Sequence, residues 1–181
     1  MIDYCDDIFD KKYLDEIASE LIKAPWYAQN VANRNSWPYQ ERGSHRLLGD
    51  YFFHRLSEDD IRYNSNRNLS NNFINAFKAI NQRLNKDLRL MECDTNLQFK
   101  GMDGSFHTDG RDDQIAYILM LSNEIVEDIG GEFINETMNF TVPYKYGRVI
   151  AITASDKHRA NAFTQPHIAR ISVKWLGELN A

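Results

Sequence analysis

The hydrophobic period of this chain changes once, near residue 86, and that change limits the folds open to it. Downstream of it, six β-favouring segments succeed one another at about 88–100, 114–122, 131–142, 147–153, 159–164 and 168–176. They are separated by turn residues such as Gly104, Gly110, Gly130-Gly131 and Pro143. Parallel neighbours need crossovers of a dozen or more residues, usually helical, and these gaps hold no helix, so the spacing argues for an antiparallel sandwich or barrel.

Upstream, apolar residues recur at helical spacing. Asp10 can cap a segment carrying Leu14, Ile17, Ala18, Leu21 and Ile22 that ends before Pro25, and Phe73, Ala76, Phe77, Ile80 and Leu84 form a second stripe. Ser57-Glu58-Asp59-Asp60 reads as a short capping box, and residues 26–56 between the stripes read as loop-rich, with Trp26, Trp37, Tyr39 and Tyr51 among polar residues. The expected fold is α+β, mainly β: a jelly-roll (double-stranded β-helix) core buttressed on one outer face by N-terminal helices. One domain over 1–181 is expected, helical over about 1–86 and β over about 87–177. A chain of 181 residues buries roughly 70% of its unfolded surface, enough for its own core.

Composition narrows the function classes. With 21 basic and 26 acidic residues the net charge is −5, which weighs against a nucleic-acid partner. The longest apolar run, Ile115 to Leu121, is far short of the roughly 20 residues of a membrane span. An acidic start without an apolar stretch favours an intracellular location, where Cys5 and Cys93 would be reduced thiols. Oligomeric state is not legible.

His107-Thr108-Asp109 comes after a glycine-containing turn. About 0.4 such His-x-Asp triplets are expected by chance in this composition, so the triplet alone decides nothing. The order of the downstream motifs carries more weight: Gly130-Gly131-Glu132-Phe133, then Val142-Pro143 with Gly147-Arg148, then His158, then Arg170-Ile171-Ser172-Val173-Lys174-Trp175. Two imidazoles and one carboxylate form the facial triad of non-haem Fe(II), and His107, Asp109 and His158 supply that set. The same ligands also suit catalytic zinc. Arg170, twelve residues after His158, separates the two readings, because its fork can bind the distal end of a dicarboxylate, with Ser172 on the same face of the strand.

Over residues 88–176 this order resembles that of the Fe(II)- and 2-oxoglutarate-dependent oxygenases, in particular their prolyl 4-hydroxylase-like branch. The resemblance implies Fe(II) on His107, Asp109 and His158, 2-oxoglutarate anchored by Arg170 with Ser172, O2 as oxidant and ascorbate as reductant. It implies hydroxylation of an unactivated C–H bond of a prolyl or other amino-acid or peptidyl substrate, with release of succinate and CO2. Asp109 argues against the halogenating variant, which lacks that carboxylate. Two positions depart from the family. Where a tyrosine touching the co-substrate is usual, this chain has Gln98, whose amide could donate instead, and the later family tyrosine falls near Met120.

Other readings stay open: a small-molecule hydroxylase on the same scaffold, or a cupin-like metal-binding protein without oxygenase activity. His45 and His54 read as solvated or as lining a substrate entrance, Trp26, Trp37 and Trp175 as packing residues, and Cys93 as a small buried hydrophobe.

Overall fold

The computed structural model describes residues 3–32, 45–123 and 129–180. Helix α1 (Lys11–Lys23) starts where Asp10 accepts a hydrogen bond from the Tyr13 N–H at 2.8 Å. It stops at Ala24, whose extended backbone precedes Pro25. Helix α2 (Arg67–Arg83) is capped by Asn66, which accepts from the Leu69 N–H at 3.1 Å. The structure departs from the expectation here, because the Ser57–Asp60 box starts no helix. Its Ser57 Oγ accepts from Asp60 N–H and closes a turn between two strands, a task the same short polar side chains perform equally well.

Eleven strands are present among the described residues: β1 (Asp3–Cys5), β2 (Tyr27–Ala32), β3 (His45–Arg55), β4 (Ile61–Tyr63), β5 (Leu88–Gln98), β6 (Gln114–Met120), β7 (Phe133–Asn135), β8 (Phe140–Val142), β9 (Val149–Thr153), β10 (His158–Ala160) and β11 (Arg170–Leu179). All pairings are antiparallel. The larger sheet runs β1-β9-β6-β11-β5-β3-β2 with β4 on β3, and the smaller runs β10-β7-β8. The region expected to be helical and loop-rich therefore contributes four strands, and β3 lies against β5 in the body of the large sheet. A register shift between Tyr51 and Phe53 breaks the alternation of β3, which removes the period-2 pattern by which a strand is recognised. Trp37 and Tyr39 lie outside the described residues.

Each face of the large sheet has its own apolar cluster. One joins Leu14, Ile17 and Leu21 of α1, and Phe73, Ala76, Phe77 and Ile80 of α2, to Cys93, Leu97, Tyr117, Val173 and Trp175. The other joins Ile118, Met120, Ile150, Ile152 and Leu176 to Phe133 and Val142 of the small sheet. Trp175 is fully buried at the helix face, its ring edge-on to Phe73 and its Nε1–H donating to the Phe73 carbonyl at 3.0 Å. Ile22, expected in the buried stripe of α1, is exposed. No helix of the described residues is long and apolar enough to cross a membrane.

Candidate active site

Between the two sheets lies a cavity of about 820 Å³. Its floor is set by strand alternation and register. Arg170, Ser172 and Lys174 on β11 stand opposite Gln98, Asn96 and Asp94 on β5, while the intervening Ile171, Val173 and Trp175 face the helices. A polar ladder thus crosses one face of a sheet whose other face is apolar.

His107 and His158 approach from the opposite wall as directly paired residues: each backbone N–H donates to the other's carbonyl, at 3.0 and 2.9 Å, and the rings stand 4.7 Å apart. Asp109 is placed by its own N–H bonding to the Ala154 carbonyl at 2.9 Å. The Nδ1 of His107 meets the Ser105 carbonyl and that of His158 the Asp156 carbonyl, both at 2.8 Å. A carbonyl only accepts, so each Nδ1 carries the proton and, in the neutral rings, each Nε2 carries the lone pair. Those Nε2 atoms lie 3.7 and 3.3 Å from the two Asp109 oxygens, and the donor atoms of the three side chains fall within 4.8 Å of one another. Phe133 stacks on His158 and fixes its plane.

The charges around Asp109 are unequal. Burial works against its ionisation, but Lys174 and His158 outweigh burial and hold its pKa far below the carboxylate range. Burial lowers the His107 pKa, whereas for His158 the attraction of Asp109 exceeds burial and raises it. Asp109 Oδ2 is buried and, although close to His158, makes no hydrogen bond.

Arg170 is 1% exposed. Its Nε donates to the Gly131 carbonyl at 3.0 Å and its Nη1 to Gln98 Oε1 and Ser172 Oγ at 3.1 and 3.2 Å, leaving Nη2 buried without a partner. Burial lowers its pKa to about 10, still cationic at neutral pH. Gly131 reaches it through a left-handed turn, φ +80°, against which a Cβ would meet the Phe163 ring at 2.3 Å. The Gly-Gly-Glu-Phe segment therefore positions the arginine. Gln98 does not present a spare amide donor: its Nε2 already bonds to the Met102 and Ala160 carbonyls at 2.9 and 3.1 Å, so it steadies Arg170 through Oε1 instead.

Three charged residues of the cavity, Lys174, Asp94 and Glu92, are absent from the set that sequence reasoning singles out. Lys174 Nζ lies 3.3 Å from Asp94 Oδ2, 3.5 Å from Glu92 Oε2 and 3.6 Å from Asp109 Oδ1. Burial alone would lower its pKa, and the three carboxylates reverse this and raise it. A signal exists in the sequence, since Lys174 shares the parity of Arg170 and Ser172. His54, on β3, lines the same cavity, with Nε2 2.9 Å from Asp94 Oδ1 and its ring 5.1 Å from that of Tyr51. The His45 side chain lies outside the described residues. Tyr117 turns to the helix face, where its hydroxyl donates to Asn81, and Met120 belongs to the apolar cluster under the small sheet. Gly147 and Arg148 are structural: Arg148 pairs with Asp6 at 2.7 and 2.9 Å and tethers the N-terminus.

No family model and no curated protein matches the chain by sequence. Solved structures do match by shape. An oxidoreductase of the 2OG-Fe(II) oxygenase family from Burkholderia pseudomallei superposes with a TM-score of 0.74 at 14% identity, over 98% of this chain and 84% of that one. A Pseudomonas putida prolyl-4-hydroxylase gives 0.64 at 14% identity, over 99% and 93%. HygX from Streptomyces hygroscopicus, solved with nickel and 2-oxoglutarate, gives 0.66 at 10% identity, over 99% and 83%. The chain shares the fold of these oxygenases, prolyl hydroxylases among them, which is the group its motif order resembles.

Proposed function

We propose that the protein is an Fe(II)- and 2-oxoglutarate-dependent oxygenase, a single catalytic domain on a double-stranded β-helix. Two orphaned polar atoms support this reading: the buried Asp109 Oδ2 and Arg170 Nη2 lie in one cavity with neither hydrogen-bonded. An unsatisfied buried donor or acceptor costs about 1–3 kcal/mol, more if charged, so such atoms point to missing ligands. A metal cation would satisfy the carboxylate and a dicarboxylate the guanidinium, and the donor set of two imidazoles and one carboxylate fits Fe(II) with positions left open. Arg170 is the observation that separates this from a zinc site.

His107, Asp109 and His158 would hold the iron and Arg170 with Ser172 the distal carboxylate of 2-oxoglutarate, while Gln98 and Gly131 keep the guanidinium aimed. Bound there, iron and 2-oxoglutarate supply O2 activation with release of succinate and CO2, and thereby oxidise a substrate C–H bond; ascorbate would restore the reduced metal. The protein's own tasks are to fix both imidazole tautomers through Ser105 and Asp156, to keep Asp109 ionised, and to exclude water behind Phe133 and Ile118.

For the substrate, the prolyl hydroxylase likeness supports a prolyl or other peptidyl side chain. A second reading, a polar small molecule, is supported by the charged side chains His54, Glu92 and Asp94 that line the cavity. HygX, which shares the fold, has been solved with hygromycin B bound. The test is succinate formation from 2-oxoglutarate with proline-containing peptides, free amino acids and hygromycin B. The proposal expects Fe(II)-dependent succinate, stimulated most by a peptide; stimulation by hygromycin B alone selects the second reading. No succinate under any condition contradicts both and leaves a cupin-like metal-binding protein.

A further inference from the structure

We propose that Lys174 keeps the metal centre mononuclear. Its ammonium occupies the place where His54, Glu92 and Asp94 would otherwise bind a second divalent cation beside the first. The inference rests on the reading of His107, Asp109 and His158 as metal ligands.

His54, Glu92 and Asp94 form the other group among the described residues with metal-ligand character: one imidazole nitrogen and two carboxylate oxygens lie within 4.8 Å of one another. The two groups share one neighbour. Lys174 Nζ is 3.3 Å from Asp94 and 3.5 Å from Glu92 on one side, and 3.6 Å from Asp109 on the other. Metal pairs in two-metal enzymes sit about 3.5–4 Å apart, held by just such adjacent carboxylate and imidazole groups. Here the position between the groups is taken by an ammonium.

The placement is set by the backbone. Lys174 stands directly opposite Asp94 in the β11–β5 ladder, and the Lys174 side chain is 16% exposed, so it is largely shielded from bulk solvent. Three carboxylates face it. One divalent ion on His107, Asp109 and His158 leaves Glu92 and Asp94 balanced by Lys174 and by His54, which contacts Asp94. Without Lys174, two carboxylates and an imidazole would face the first ion with no cation between them, the donor set of a second hard-cation site.

The experiment measures bound Mn(II) per chain by equilibrium dialysis, and metal–metal coupling by electron paramagnetic resonance. Its samples are the whole protein and its Lys174→Met, Lys174→Gln and Lys174→Arg variants. The expected result is one ion in the native protein and in Lys174→Arg. Lys174→Met and Lys174→Gln are expected to take two, with a spin-coupled signal that disappears when Asp94→Asn and Glu92→Gln are added. Two neutral variants are used so that poor folding of one does not decide the matter. Two ions in the native protein, or one in every folded neutral variant, overturns the inference and leaves the oxygenase reading intact. No bound ion in the native protein overturns that reading and this inference together.

Discussion

Strand β11 carries two chemistries on alternate residues. Ile171, Val173 and Trp175 sink into an apolar layer against α1 and α2, while Arg170, Ser172 and Lys174, one residue away in each case, line the cavity with charge and hydrogen bonds. The apolar face is satisfied by itself. The polar face is not: its bonds are incomplete at Arg170 Nη2 and, across the cavity, at Asp109 Oδ2. One face therefore stabilises the fold, and the other leaves buried polar groups unsatisfied, which on the proposed reading meet the metal and the co-substrate. Changes on the first should move stability and spare ligand binding, and changes on the second should do the reverse.

The largest separation should come from Trp175→Ala. Truncating a fully buried tryptophan costs about 3–5 kcal/mol, and here the hydrogen bond to the Phe73 carbonyl goes with it. Urea titration should show the loss, and 2-oxoglutarate affinity in the fraction that stays folded should be unchanged. Arg170→Ala is the mirror case. Losing a buried charge-assisted contact costs about 2–5 kcal/mol of binding, so the 2-oxoglutarate concentration for half-saturation should rise on the order of 100-fold or more. Equal losses in both assays for either variant would break the division between the faces.

Gly131→Ala crosses the division. The left-handed backbone and the Phe163 ring should cost at least about 1–3 kcal/mol, and the carbonyl that holds Arg170 Nε should shift, so stability and co-substrate affinity should fall together. The smallest effect lies far from the cavity, at Asp6. Arg148 and Lys145 lower the Asp6 pKa to about 2, below its unfolded value near 3.8, although partial burial opposes them. A carboxylate with a depressed folded-state pKa stabilises fully above its unfolded value and loses that contribution as pH falls through the folded one. Asp6→Asn should therefore flatten the stability profile between about pH 4 and pH 2 and leave neutral-pH ligand binding unchanged.

Strand parity explains how much of the molecule is legible in its sequence. The downstream strands and the order His107, Asp109, His158, Arg170 can be read because each motif is local and β11 keeps its register against β5 from Arg170 to Leu176. Lys174 is marked by the same parity, yet its role escapes a sequence reading because its partners, Asp94 and Glu92, belong to β5, whose register with β11 only the fold reveals. Gln98 is expected at the cavity and lies there with different hydrogen bonds, since side-chain chemistry does not say that two carbonyls have already taken its donors. Strand β3 is hidden by its register shift and by adjacent buried Phe52 and Phe53, and the Ser57–Asp60 turn by residues that serve caps and turns alike.

Iron on His107, Asp109 and His158 and 2-oxoglutarate on Arg170 would share one cavity, and adding Fe(II) and then 2-oxoglutarate to the anaerobic protein should produce the visible charge-transfer band of a chelated 2-oxo acid. The band is expected in the native protein, absent in His158→Ala, and present in Arg170→Ala only at much higher 2-oxoglutarate. Iron binding with no band at saturating 2-oxoglutarate would contradict this assignment.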